Sequence, residues 1–254
     1  MTYLTKIESS IVRHKEEVLK HLEDESQLVG VFLYGSQNYQ LATENSDVDT
    51  VAIVLPTERE LYFGTPMTKE IHLDNGEHIV VKDIREYIKM IKKQNLNFLE
   101  VLFTKFSWVN PTYRILWNCF LIHRERLAMY DSEKAIKSIV GQAKHTLIQA
   151  QATFDCKKYA NSLKMYYFLD KFLNSDLPYA EKMIPTEDEK KEILAYKKGE
   201  KIINVDMIID LTNKLNDFSN SYFIIPQEEK EILDEMINYF MHRIIKKCID
   251  KNPF

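Results

Sequence analysis

The chain has 254 residues, of which 45% are hydrophobic and 28% are charged, and its formal net charge at pH 7 is −4. This composition is typical of a globular protein and excludes a largely disordered chain, while the length favours one large domain or two smaller ones. Because the net charge is negative, no overall basic field attracts nucleic acid, and any contact with RNA or DNA must come from a local patch.

The N-terminal part of the chain predicts a helix followed by two buried strands. Apolar residues recur at helical spacing over residues 5–24, which indicates an amphipathic helix. The segments LVGVFLYG, residues 28–35, and DVDTVAIVLP, residues 47–56, have the apolar runs of buried strands. Pro56 is expected to end the second strand, because proline cannot donate to a sheet ladder.

A hairpin and a capped helix follow. The segments KEIHL and HIVVK flank DNGE, where Asn75 and Gly76 supply the positive φ angles of a tight hairpin turn. Asp83 is the predicted N-cap of the helix IREYIKMIKKQ, whose isoleucines lie on one face. The segment FLEVLF, residues 98–103, predicts a further short helix.

From Pro111 onward the sequence has helical periodicity and no convincing strand. The helical segments lie near residues 112–130, 132–155, 158–174, 187–198, 205–220 and 227–250. The segment DLPYAEKMIPTE is the clearest loop between them. We therefore expect an α+β protein of two domains, with a short mixed sheet and helices in residues 1–105 and an all-helical domain in residues 106–254.

Cysteine spacing and hydropathy indicate the compartment. Cys119, Cys156 and Cys248 lie far apart without C-x-x-C or Cys/His spacing, which argues against a disulfide framework and a zinc site. No stretch approaches the span of about 20 apolar residues that a membrane helix needs, and the charged N-terminus is unlike a signal peptide. The sequence therefore predicts a cytoplasmic protein that makes no contact with a membrane.

Two aspartates one residue apart stand at the start of the second predicted strand. Because side chains alternate along a strand, Asp47 and Asp49 point to the same face, and their carboxylates repel each other unless they have partners. Two divalent cations roughly 3.5–4 Å apart remove this repulsion and are used in phosphoryl transfer. The pair therefore indicates a site for Mg²⁺, which prefers oxygen ligands, and the plain alternative is a solvated strand start.

A glycine and two serines surround this pair. Gly35 allows the backbone to approach a ligand closely, and Ser36 offers a hydroxyl and an amide to phosphate oxygens. Ser46, directly before the first aspartate, either orients the loop or simply forms a turn, and a plain turn is also the alternative for Gly35 and Ser36. The segment therefore predicts a phosphate-binding turn beside a metal-binding strand.

The stretch YGSQNYQLATENSDVDT, residues 34–50, resembles the signature of the DNA polymerase β-type nucleotidyltransferase superfamily. That signature has Gly-Ser after an apolar strand and Asp-x-Asp in the next strand. The surrounding letters resemble the RlaP-like, RNA-ligase-associated branch of predicted nucleotidyltransferases. The segment at residues 82–103 is similar to a helix and a Leu-Glu pair of that branch, and YANSLKMYYFL and ILAYKKGE also resemble family segments.

The resemblance implies a polymerase β-like fold and a defined reaction. A nucleoside monophosphate would move from an NTP such as ATP to an acceptor hydroxyl, with release of pyrophosphate. By position, Asp47 and Asp49 would bind Mg²⁺ or Mn²⁺, while Gly35 and Ser36 would hold the β and γ phosphates. The family name points to an RNA end such as that of tRNA as acceptor, whereas the acidic chain suits a protein side chain or a small molecule at least as well.

The superfamily also uses a third carboxylate on a neighbouring strand, and this sequence has no aspartate at the obvious place. Glu77 is the nearest strand acid and is the candidate for a third metal ligand and catalytic base. Glu70 and Asp74 lie across the hairpin, His78 is a candidate ligand or base, and Asp83 is more often a helix cap. Without a third acid, the alternative is a catalytically inactive nucleotide-binding or toxin-neutralising module of the same fold.

Three further residues have two interpretations each. Lys164 matches a basic family position and is a candidate for nucleotide binding, and the alternative is a solvated lysine on a helix with a tyrosine-rich core face. Glu100 matches a family glutamate, or it is an ordinary helical acid. Arg85 either reaches a phosphate or forms a salt bridge. The lysines and tyrosines that surround Lys164 in the sequence are Lys157, Lys158, Tyr159, Tyr166 and Tyr167.

Overall fold

The structure is a computed structural model that describes residues 3–43, 46–221 and 226–249, apart from the side chains of Tyr3 and Cys248. Its strands are β1 (Leu28–Tyr34), β2 (Asp49–Val54), β3 (Thr68–His72), β4 (His78–Asp83) and β5 (Ser107–Val109). Its α-helices are α1 (Tyr3–Leu19), α2 (Glu58–Phe63), α3 (Ile84–Lys92), α4 (Leu96–Leu99), α5 (Arg114–Leu121), α6 (Arg124–Ala128), α7 (Ser132–Thr153), α8 (Cys156–Asn174), α9 (Tyr179–Met183), α10 (Glu187–Lys197), α11 (Val205–Phe218) and α12 (Gln227–Ile249).

The strands form one mixed sheet in the order β3-β4-β2-β1-β5. β2 and β4 are parallel, and the other neighbouring pairs are antiparallel. The parallel register sets Thr50 opposite Ile79, and the same alignment brings the N-terminal ends of β2 and β4 together. Residues at these two strand ends are therefore neighbours, although they lie far apart in sequence.

The predicted hairpin and the helix after it are confirmed. β3 and β4 flank a turn in which Gly76 has a φ angle of 87°, a left-handed conformation that glycine adopts without strain. Asp83 caps α3, because its side chain accepts a hydrogen bond from the backbone N–H of Arg85 at 2.8 Å. The predicted mixed sheet with helices is thus present.

The two faces of the sheet pack against different helices. Ile7, Ile11 and Val18 of α1 pack on one face, against residues that include Val31 and Ala52. The opposite face joins a second core that contains Phe32 and Ile53, continues through α3 and reaches the helices up to α12. The helical half therefore closes over one face of the sheet.

The described residues after Pro111 contain helices and no strand, as predicted. β5 lies just beyond the boundary expected at residue 105 and pairs with β1, so the sheet extends past that boundary. Cys119 and Cys156 are free thiols, and the side chain of Cys248 falls outside the described residues. None of the described helices combines the length and the apolar character that crossing a membrane requires.

Candidate active site

A cavity of about 640 Å³ lies where the start of β2 faces α7, α8 and α10. Of the site residues expected from the sequence, those that line it are Gly35, Ser36, Ser46, Asp47, Asp49 and Lys164. These residues come from two strand ends and from a helix more than a hundred positions away in the sequence. The structure thus brings together the turn, the aspartate pair and the lysine of the helical half, and it does not bring Glu77 to the cavity.

Gly35 shapes the turn at the end of β1. Its φ angle is 85°, which L-residues with a side chain rarely adopt, and a Cβ atom there would point toward Asp49 Oδ2 at 4.0 Å. The Gly35 N–H donates to Glu100 Oε1 at 2.8 Å. The amide and hydroxyl of Ser36 make no hydrogen bond to any described residue, so Ser36 offers both groups to the cavity.

The two aspartates differ in their partners. Asp49 Oδ1 accepts hydrogen bonds from the ring Nδ1 of His78 at 2.8 Å and from its backbone N–H at 3.3 Å. The second ring nitrogen of His78 lies 2.6 Å from the Tyr34 hydroxyl, and the bond to Asp49 raises the pKa of His78. Within the described chain, the Asp47 carboxylate pairs with no lysine or arginine and approaches the turn at Gly76.

These carboxylates suit a hard divalent cation. Mg²⁺ typically takes one or two protein carboxylates and completes its shell with water and substrate phosphates. Asp49 Oδ2 and both carboxylate oxygens of Asp47 are available as ligands for such a cation, because none of them forms an ion pair with a described residue. No group of three or more His, Cys, Asp or Glu side chains in the described ranges is arranged as a complete metal site. A bound phosphate would therefore have to supply further ligands.

Glu77 lies elsewhere, against α1. Its side chain is only 3% exposed, forms an ion pair with Arg13, and accepts hydrogen bonds from His14 Nε2 at 2.9 Å and Ser10 Oγ at 3.1 Å. Although burial opposes ionisation, the bonds from His14 and Arg13 lower the pKa of Glu77. Glu77 lies in the turn directly before β4, and its carboxylate points toward α1. Spacing along the chain does not reveal this direction.

Two buried charged residues, Glu100 and Lys164, interact with each other close to the turn at Gly35. Burial raises the pKa of Glu100 to about 7, against the opposing charge of Lys164. Burial also lowers the pKa of Lys164, whose Nζ lies 3.8 Å from the ring centre of Tyr39. Glu100 therefore acts on the site through the N–H of Gly35, and Lys164, which lies against Tyr39, also lines the cavity.

The sequence analysis did not single out two lysines of α10. Lys197 Nζ donates to the backbone carbonyl of Leu41 at 2.7 Å and lies 3.5 Å from Ser46 Oγ. Lys190 Nζ donates to the Gln40 side chain at 2.6 Å. Both contacts hold in place the segment between the turn at Gly35 and the two aspartates. The family-like segment ILAYKKGE contains Lys197 and was the available signal.

The electrostatic environment of Lys197 is unusual for a lysine. Burial, with help from the positive charges of Lys157 and Lys164, lowers its pKa to about 8. All three lysines line the same cavity as the aspartates. A cavity that holds several cations and two carboxylates matches a polyanion that arrives with a metal ion.

The remaining predicted residues stay outside the cavity. Arg85 forms an ion pair with Asp83 at 2.6 Å, as the plainer interpretation stated. Tyr159 packs on Tyr196 with ring centres 4.9 Å apart, and Tyr166 packs on Phe218. These tyrosines therefore belong to packed clusters of the helical half.

The comparisons with known proteins gave one family match and one distant structural likeness. Residues 15–127 match the model of the family described as "Nucleotidyltransferase domain". A solved structure described as a nucleotidyltransferase-like protein from Exiguobacterium sibiricum 255-15 aligns over 94% of this chain and 74% of its own, with 8% identity and a TM-score of 0.30. No curated protein matches the sequence. Residues 15–127 are therefore similar to a nucleotidyltransferase domain, and the mixed sheet of the structure lies within them.

Proposed function

We propose that the protein is a metal-dependent nucleotidyltransferase that moves a nucleoside monophosphate from an NTP to an acceptor hydroxyl and releases pyrophosphate. The observation that carries this proposal is a single cavity that is lined by Ser36, Asp47 and Asp49 together with Lys164 and Lys197. The family match over residues 15–127 supports the same reaction class. The acceptor is an RNA end, a protein side chain or a small molecule, and membership in the RlaP-like branch is part of the proposal.

The residues of the cavity have distinct roles in this proposal. Ser36 and the lysines bind the triphosphate, with Ser36 donating from its amide and hydroxyl and Lys197 from its ammonium group. Asp47 and Asp49 would hold Mg²⁺ or Mn²⁺, which supplies charge neutralisation of the phosphates when bound. Catalysis then rests on positioning and electrostatics rather than on covalent chemistry by the protein.

The bond changes follow from the reaction class. The acceptor oxygen forms a bond to the α-phosphorus, the bond from that phosphorus to the bridging oxygen of pyrophosphate breaks, and the acceptor proton passes to a base. His78 holds Asp49 by its Oδ1 atom, which leaves Oδ2 directed toward the turn at Gly35. The proton acceptor is not Glu77 in this arrangement, because its carboxylate is engaged with Arg13 and His14.

A second candidate is a catalytically inactive nucleotide-binding or toxin-neutralising module of the same fold. The observation that favours it is that Asp47 and Asp49 are the only acids among the described residues that line the cavity. Such a module would bind NTP and metal through the same lysines and aspartates without transferring a nucleotide.

One experiment separates the two candidates. The protein is incubated with α-labelled NTPs and Mg²⁺ or Mn²⁺, with total RNA and a protein lysate as parallel acceptors. The enzyme predicts label in one acceptor fraction that is lost in Asp49→Ala and kept in Asp206→Ala, a surface control on α11. Binding of NTP without any transfer supports the inactive module, and absence of both binding and transfer contradicts the proposed function.

A further inference from the structure

Three amide side chains line the cavity, Asn97 from α4, Gln142 from α7 and Asn161 from α8. None of these amide groups forms a hydrogen bond with a residue in the described ranges. By contrast, the amides of Gln37 and Asn38 in the neighbouring turn both donate to backbone carbonyls, those of Asp47 and Leu33. The cavity therefore presents amide donors and acceptors that the fold itself does not use.

Helix packing brings two of these amides together. Ser162 Oγ donates to the backbone carbonyl of Ala143 at 3.0 Å, and this buried bond joins α8 to α7. Gln142 and Asn161 are the residues next to that bond in each helix, so their side chains enter the cavity side by side. Asn161 is also four residues after Lys157 on the same helix face. The amides thus adjoin the phosphate-binding wall.

An apolar surface lies next to the amides. Leu41, Met165 and Ile193 line the same cavity, and each is at most 5% exposed. A flat heterocycle can cover such a surface while its polar edge meets the amides, which is the usual composition of a small-molecule site. This part of the cavity has the composition that a nucleobase requires.

We propose that Gln142 and Asn161 read the base edge and make the cavity selective for adenine nucleotides, an inference that rests on the proposed function. An amide carries a donor and an acceptor side by side, and adenine presents the complementary pair at N6 and N7. The guanine edge of O6 and N7 is read by arginine or lysine, and cytosine N4 by a carboxylate. Among the described residues no arginine lines the cavity, and its lysines, which include Lys157, Lys164 and Lys197, are assigned to the triphosphate.

Size separates adenine from uracil. Uracil also offers a donor and an acceptor side by side, but its single ring buries less of its own apolar surface against Leu41, Met165 and Ile193. Because the gain from burial grows with the apolar area removed from water, the double ring of a purine binds this wall more tightly.

The test measures the affinities of the full-length protein for ATP, GTP, CTP, UTP and inorganic tripolyphosphate in Mg²⁺ by isothermal titration calorimetry. ATP is expected to bind at least about tenfold more tightly than the other three nucleotides, which corresponds to about 1.4 kcal/mol. Combined Gln142→Ala and Asn161→Ala changes should bring the ratio of the ATP and GTP affinities close to one and leave the affinity for tripolyphosphate unchanged. Gln149→Ala, on the exposed side of α7, is the matched control.

A second variant tests the donor–acceptor argument directly. Gln142→Glu keeps the size of the side chain and replaces the donor with an acceptor, which suits the two N–H donors of guanine. Its affinity for GTP relative to ATP should rise at least about fivefold. This readout also holds if the double variant fails to fold, since melting temperatures identify that failure.

The outcomes for the base and for the function are distinguishable. Equal affinities for all four nucleotides, with tripolyphosphate still bound, overturn adenine selectivity and leave the transferase proposal intact. A ratio that Gln149→Ala changes as much as Gln142→Ala does also overturns it. Failure of every nucleotide and of tripolyphosphate to bind contradicts both proposals.

Discussion

Replacing Lys197 with methionine tests the phosphate end of the cavity, because it removes the charge and keeps most of the side-chain volume. In the free protein, Lys197 donates to Leu41 O at 2.7 Å and lies near Ser46 Oγ. A hydrogen bond from a charged group is worth about 1.5–3 kcal/mol. If the same ammonium group binds a phosphate, its loss should weaken tripolyphosphate binding by roughly 10- to 150-fold.

The pH dependence of tripolyphosphate binding gives a second, independent test of the role of Lys197. The pKa of Lys197 is lowered to about 8 by burial and by neighbouring lysines, so the group loses its proton as the pH rises through that value. A bound polyanion favours the charged form and raises this pKa. Affinity should therefore be full below pH 8 and fall by up to about tenfold per pH unit above it. In Lys197→Met this decline should be absent.

The assay is calorimetric titration with tripolyphosphate from pH 7 to pH 9.5 at constant ionic strength. Lys191→Met is the matched control, because Lys191 lies on α10 with its side chain 78% exposed and, among the residues that the structure describes, pairs only with Asp188, at 3.3 Å. The reasoning would be refuted if Lys197→Met bound tripolyphosphate like the original protein, or if its affinity kept the same slope above pH 8.

Three further predictions concern Gly35, Glu77 and Glu100. Gly35→Ala should lower the unfolding free energy by about 1–2 kcal/mol, because its φ of 85° is strained for alanine, and chemical denaturation measures this loss. Glu77→Gln should lower the melting temperature, because it loses contacts with Arg13 and His14, but it should keep nucleotide transfer. Loss of transfer in a folded variant would instead indicate that Glu77 acts in the reaction. The pKa of Glu100 in the folded protein, about 7, lies above its usual value. The stability that protonated Glu100 contributes is therefore present at low pH and is lost as the pH rises through 7. Denaturation from pH 4.5 to pH 8 should show a smaller decline in Glu100→Gln, and an unchanged decline would contradict this assignment.

Local patterns in the sequence carried most of the secondary structure. The hairpin turn at Asn75 and Gly76, the cap at Asp83 and the helices after Pro111 depend on residues close in the chain, and these predictions were confirmed. The short elements α2, α9 and β5 were missed. β5 is three residues long, and its strand conformation depends on pairing with β1, which no local pattern encodes.

The site was predictable only where one motif contains it. Gly35, Ser36, Asp47 and Asp49 stand in a single segment and line one cavity, while their metal and nucleotide roles stay predictions. The direction of the Glu77 side chain depends on the packing of α1 against the sheet, so its proximity in sequence was misleading. Tertiary packing of the helices brings Lys197 and Gln142 to the cavity. The periodicity of each helix shows only which of its faces is buried.

The apolar core that passes from the sheet through α3 to α12 has a practical consequence. A fragment ending at residue 105 would expose the surface that Trp117 and Phe240 cover and would lack β5. We expect the intact chain to melt in a single cooperative transition, and we expect either half produced alone to aggregate. Attempts to obtain the N-terminal half by truncation should therefore retain the distal helices or supply them in trans.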